Sequence, residues 1–200
     1  MKSRPILFSA PMVRALLDGS KTQTRRVVKP QPDCIKAGQP YTTAGLPSTP
    51  ISSPFGQVGD QLWVRETWGV LHEHFIDSPL EPTFWRADYS DADLAEQKAG
   101  TLWLPRWRSS IHMFRNRSRI TLEITNVRVE RLQDISEADC IAEGIEKTNN
   151  EFWSTYGAAD VDGTYSPKTS YRRLWESING PGSWDLNPWV WVIEFKKVAA

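Results

Sequence analysis

Several things are scarce in this sequence, and each scarcity narrows the reading. Two cysteines, Cys34 and Cys140, are too few for a disulfide framework. Cys34 falls in a proline-rich loop and Cys140 in a predicted helix, as expected for a reduced, cytoplasmic protein. Formal charge is zero, with 24 Lys+Arg against 24 Asp+Glu. No global field therefore draws the chain to nucleic acid, and any such contact needs a local patch. No apolar run is long enough to cross a bilayer, and Met1 to Pro11 lacks the sustained apolar core of a signal peptide, so no membrane partner is expected. Only three histidines occur. His72 and His74 flank Glu73, but no third ligand is in view and a closed zinc site needs four, so a surface loop is the better reading and no metal is expected.

What is present fits one domain. The chain has 200 residues and 40% apolar side chains, enough for a real core. Ten tryptophans are many for this length, and several stand beside arginines, a pairing suited to stacking on planar molecules.

The chain is organised around Gly19-Ser20-Lys21-Thr22-Gln23-Thr24-Arg25-Arg26. Pro5 to Phe8 reads as a strand, and Pro11 to Asp18 as a helix with Met12, Ala15 and Leu16 on its inner face. Gly19 ends that helix, because it adopts the left-handed conformation at no steric cost. Val27-Val28 then continues as a strand. A lysine and a threonine three apart on such a turn are candidates for a base and a nucleophile. Arg25 and Arg26 would disfavour a protonated Lys21 and push it toward the neutral amine. A solvated basic turn is the plain alternative.

Lys29 to Gly59 carries prolines at 30, 32, 40, 47, 50 and 54 and is expected to hold no regular element. Gln61 to Trp68 alternates like a strand after the Val58-Gly59-Asp60 turn. A second irregular block spans Gly69 to Gly100, with a short strand at Thr83 to Ala87 and a helix at Asp91 to Lys98. Leu102 to Arg119 interleaves Arg106, Arg108, Arg115 and Arg117 with Trp103, Trp107, His112 and Phe114. Cations for phosphate and rings for bases are what single-stranded nucleic-acid sites use; a salt-bridged surface loop is the other reading. Arg119 to Val129 is a long strand with Ile120, Leu122 and Ile124 on one face. Ser136 opens a helix with Asp139 three residues on, and Gly144 stops it. Glu143 thereby lies in the last turn, where the helix dipole disfavours a carboxylate. Thr148 to Ser170 is a third loop, Tyr171 to Ile178 a helix, and Trp189 to Phe195 a closing strand.

These pieces resemble the ASCH domain family. Gly19-x-Lys21-x-x-x-x-Arg26 after a short helix is similar to its signature, Val58-Gly59-Asp60-x-Leu62-Trp63-Val64-Arg65-Glu66 to one of its strands, and Trp191 to Phe195 to its last strand. The resemblance touches residues 5–29, 58–68, 119–146 and 189–196, under half of the chain. It implies an α+β, mainly β fold: a PUA-like, closed or nearly closed barrel of five to seven strands. Short helices would flank it, with insertions at about 30–57, 69–100 and 148–170. Larger proteins of this kind are common in phages and prophages, which makes such an origin an expectation. The family's best-defined enzymes are amidohydrolases acting on N4-acetylcytidine. Their site implies Lys21 as proton acceptor, Thr24 as nucleophile and Glu143 as proton donor, with no metal or organic cofactor required. Arg25 or Arg26 would stabilise the oxyanion or hold substrate, together with Glu66 and a stacking Trp63 or Trp68. Other members are linked to RNA binding or cleavage. Two readings therefore stand: an amidohydrolase on a modified nucleoside, and an RNA- or single-strand-binding module or ribonuclease whose surface includes Arg106, Arg108, Arg115 and Arg117.

Overall fold

A computed structural model of the chain describes residues 1–43, 48–71, 82–148, 150–156 and 163–198. It is mixed α+β and mainly β. Among the described residues, ten strands and four helices follow in order: β1 (Ser3–Leu7), α1 (Ala10–Asp18), β2 (Gln23–Val27), β3 (Cys34–Lys36), β4 (Gln39–Thr42), β5 (Thr49–Pro50) and β6 (Gln61–Arg65). Then come β7 (Trp68–Val70), β8 (Thr83–Trp85), α2 (Asp91–Ala99), β9 (Thr121–Arg131), α3 (Glu137–Ala142), α4 (Pro167–Asn179) and β10 (Trp189–Val198).

The main sheet runs β1-β6-β9-β10-β2. β1 pairs with β6 in parallel, and the other pairs are antiparallel. β1 and β2 are its two edges, and among the described strands no backbone pairing joins them, so a closed barrel is not what the hydrogen bonding gives. A side chain reaches across instead: Arg26 Nη2 donates to Leu7 O at 2.7 Å.

β9 owes its length to uninterrupted alternation, re-phased once. Glu194 faces Asn126 and Phe195 faces Ile124, so Thr125 is an extra residue, a bulge. Without it, inward positions would alternate as Leu122, Ile124, Asn126. With it, Val127 and Val129 take over the inner face, while Arg128 and Glu130 turn to the other. The inner face packs on α1 through Ile6, Val13, Leu16, Leu122 and Ile124, all 2% exposed or less. A smaller core of Trp68, Val70 and Met113 forms separately.

One expectation about loops needs correcting. Residues 30–57 do contain regular structure, because β3, β4 and β5 pair into a small antiparallel sheet. Pro40 sits there with its carbonyl accepting from Ile51, a role that needs no N–H from proline. In the second block the expected strand and helix form, as β8 paired antiparallel with β7 and as α2. His72, Glu73 and His74 lie outside the described residues. Among those described, no helix is long and apolar enough to cross a membrane.

Candidate functional site

The site is built where three chain segments meet. Gly19 caps α1 with φ +85°, and the chain then folds back so that Lys21 N–H donates to Ala15 O at 2.9 Å. Thr22 N–H donates to Ala142 O, also at 2.9 Å, which docks the turn onto the end of α3. Ser136 caps that helix by accepting from Asp139 N–H at 3.1 Å. Gly144 follows at φ +79°, and a Cβ there would stand 2.9 Å from the Cβ atoms of both Ala15 and Lys21. Only a glycine lets the two backbones approach this closely.

That approach brings Lys21 and Glu143 into contact across 122 residues of sequence. Lys21 Nζ donates to Glu143 Oε2 at 2.9 Å and to Glu143 O at 2.6 Å. The ammonium thus meets the carboxylate and the helix's terminal carbonyl together, which answers the dipole mismatch seen in the sequence. Arg25 Nη1 donates to Glu143 Oε1 at 3.3 Å, and Tyr171 Oη reaches the same oxygen at 3.5 Å. All four side chains are buried.

Burial pushes the Lys21 pKa below its ordinary value; Glu143 opposes that shift, and Arg26 and Arg25 add to it. The sequence expectation of a lowered pKa thus stands in direction, but desolvation and not the arginines is the main cause. The Tyr171 phenol is pushed well above its usual range by burial and by Glu143, so it stays a proton donor.

Thr24 and Arg26 share one face of β2, Gln23 and Arg25 the other. A cavity of about 710 Å³ opens beside the first pair, between the sheet edges β1 and β2. Lys21, Thr24, Arg26, Glu143 and Tyr171 line it, with Phe8, Phe55 and Leu174 as apolar wall. Its size falls within the roughly 300–1,000 Å³ of small-molecule sites.

The two arginines of the turn differ. Arg25 is saturated: Nε and Nη2 donate to Glu130 Oε1 at 3.1 and 2.5 Å, Nη2 to Asp139 Oδ2 at 3.1 Å, and Nη1 to Gln23 Oε1 at 3.0 Å. Glu130 is available for this because the β9 bulge turns it outward. Arg26 lies over the Phe8 ring at 5.3 Å, with Leu7 O as its one acceptor among the described residues, and burial lowers its pKa. Its guanidinium stays charged, since arginine starts so high.

Other predicted residues fall elsewhere. Trp63 is 7% exposed, with the Arg65 and Arg115 guanidinium groups 4.8 and 5.6 Å from its ring centre. Trp68 is wholly buried in the smaller core, edge-on to Phe114. Glu66 is buried in a two-point bridge to Arg119, at 3.0 and 3.1 Å, and burial raises its pKa against that partner. None of the three lines the cavity, so the expectation that they hold substrate is corrected; Thr67, between them, does line it.

The arginine stretch is corrected too. Arg117 is buried and donates to Thr83 Oγ1 at 2.8 Å. Arg108 has its backbone paired with Trp68, and Arg106 and Arg115 are exposed. None of the four lines the cavity, and a buried Arg117 cannot share their surface.

Sequence reading missed Tyr171, Phe8, Glu130 and Asp139. Phe8 and Tyr171 were visible as apolar positions of a strand and a helix, but nothing in their spacing marks the site. Among the described residues, no three His, Cys, Asp or Glu side chains gather so as to hold a metal ion. Compared with known proteins, the chain matches no family model, no curated protein and no solved structure.

Proposed function

We propose that this protein is an amidohydrolase that removes an acyl group from the exocyclic amine of a modified cytidine such as N4-acetylcytidine, on an ASCH-type, PUA-like fold. The observation that carries the reading is the buried Lys21–Glu143 pair opening, with Thr24, onto one cavity. A proton of Lys21 Nζ lies in the hydrogen bond to Glu143 Oε2 at 2.9 Å. Moving that proton from Nζ to the carboxyl leaves the net charge of the pair unchanged and yields a neutral amine beside a carboxylic acid.

In that form Lys21 Nζ takes the proton of Thr24 Oγ1, and the oxygen attacks the acyl carbon. The ammonium so formed stands next to the developing oxyanion, a duty Arg25 cannot take with its donors committed. Glu143 protonates the exocyclic nitrogen as the C–N bond breaks, and water then hydrolyses the threonine ester. Tyr171 and Arg25 hold the Glu143 carboxyl in place. Phe8 and Phe55 offer apolar surface for the base in place of the tryptophans first considered.

The nucleic-acid reading draws less support, because Arg117 is buried and none of the four arginines lines the cavity. A panel of N4-acylated nucleosides, with product followed by chromatography, tests the proposal beside a gel shift with short RNA. Wild-type turnover is expected, Thr24→Ser should keep part of it, and Thr24→Val should lose it. Activity surviving in Thr24→Val would remove the nucleophile, and a salt-sensitive RNA shift without turnover would favour the binding module.

A further inference from the structure

The charges around the cavity are unequal in a way that the proposed chemistry does not use. Four cations line it, Lys21, Arg25, Arg26 and Lys29, against the single carboxylate of Glu143. Lys21 is paired with Glu143, and Arg25 with Glu143, Glu130 and Asp139. Arg26 and Lys29 have no carboxylate partner among the described residues. Arg26 uses only Nη2, on Leu7 O, and its guanidinium is steadied on the Phe8 ring. Its Nε is buried without an acceptor. Lys29 is exposed, so its charge lies at the rim.

Arg26 feels the charge of Glu143 but forms no ion pair with it, so its burial against the apolar wall is costly, and an anionic ligand relieves that cost. Arg26 lies two residues along the same strand face from Thr24, so their Cα atoms are about 7 Å apart. An anion on Arg26 therefore belongs to the same ligand whose acyl group meets Thr24.

We infer that the ligand carries a phosphate held by Arg26 and Lys29, which makes the substrate class an acylated cytidine monophosphate in preference to the free nucleoside. The acyl part of this statement rests on the amidohydrolase reading; the phosphate part rests on the two unpaired cations. One phosphate is the measure of two cations. A polynucleotide would need a track of further positive charge, and none of Arg106, Arg108, Arg115 and Arg117 lines the cavity.

Calorimetric titration at low ionic strength tests this with cytidine, its 5′- and 3′-monophosphates, inorganic phosphate and a short oligocytidylate. At least one monophosphate should bind about tenfold or more tightly than cytidine, the worth of one charge-assisted hydrogen bond. Arg26→Gln should bring the nucleotide-to-nucleoside ratio to within about twofold. Should that variant fail to fold, Lys29→Gln, at an exposed position, must still lower the ratio. Equal affinity for nucleoside and nucleotide overturns the inference, as does binding of neither or a ratio unmoved by both substitutions. An oligonucleotide binding far more tightly than the monophosphates replaces it with a polynucleotide ligand. Hydrolysis of N4-acetylcytidine is scored separately. A phosphate preference without turnover keeps this site and removes the amidohydrolase reading, and turnover without the preference does the reverse.

Discussion

Two stretches of this chain look alike in sequence and end up opposite in structure. Residues 19–26 and 102–119 are both rich in basic side chains, and each suggests a site for a polar, planar ligand. In the first, Lys21 and Arg25 are buried against carboxylates from β9 and α3, and the assembly opens onto a cavity. In the second, the arginines answer to the protein itself: Arg117 bonds Thr83, Arg115 flanks Trp63, and Arg119 bridges Glu66 and Asp88. The difference is made by acceptors that arrive from distant parts of the chain. A cation becomes functional where the fold surrounds it with partners and leaves a space beside it.

The most damaging test of this contrast is Lys21→Arg. Arginine retains the charge and can keep the pair with Glu143, but it does not lose its proton near neutrality. Turnover of the acyl nucleoside should fall by roughly 10²–10⁴-fold, the range of a lost general base. The fold should persist by circular dichroism, since removing a buried charge outright costs about 3–5 kcal/mol and this substitution avoids that. In the wild type, activity should fall as pH rises through the Lys21 pKa, which burial sets below the ordinary 10.5, because the proton that Glu143 delivers is then lost from the pair. Stability has the opposite sign there. Between the folded pKa and 10.5 the unfolded chain binds the extra proton, so raising pH through that window favours the fold. Full activity in Lys21→Arg would make this a binding site and erase the contrast in chemistry.

How much of this was legible beforehand depended on whether the information was local. The Gly19 stop, the Ser136 cap and the run from Ile120 to Ile124 are local, and they fold as their residues dictate. The meeting of Lys21 with Glu143 came only from a family resemblance, because spacing cannot relate positions 122 residues apart. Trp68 was misjudged for a related reason. A tryptophan at the end of a strand looks the same whether it faces a ligand or fills a second core, and here it joins Val70 and Met113. The β9 bulge was hidden as well. Thr125 reads as one more polar residue in an alternating strand, yet it decides that Glu130 can reach Arg25.

A smaller effect should come from Gly144, which sharpens the comparison because its role is spatial and not chemical. An alanine Cβ would press on Ala15 and Lys21 at 2.9 Å from a backbone already at φ +79°. Overpacking and left-handed strain together should cost about 2–4 kcal/mol, read as a lower melting temperature. Turnover should also fall as Lys21 is displaced from Glu143. Gly19→Ala is the control, since φ +85° is similar but nothing lies within 4 Å. It should cost only about 1–2 kcal/mol. Equal losses at the two positions would mean that close approach is not what Gly144 provides.

The smallest effects belong to the second stretch, and their smallness is the point. Arg106 and Arg115 are exposed, so changing either to glutamine should alter stability by no more than about 0.5 kcal/mol. Arg115 gives up only its place over Trp63, where Arg65 remains. Turnover of an acyl nucleoside should stay within about twofold of wild type, because neither residue lines the cavity. Arg117→Gln should separate from these two in stability alone, losing about 1–3 kcal/mol with its buried bond to Thr83. A steep salt dependence of RNA binding that flattens by about one unit of slope in Arg106→Gln or Arg115→Gln would overturn the comparison. The stretch would then be a phosphate-contacting surface after all, and its arginines would have two occupations.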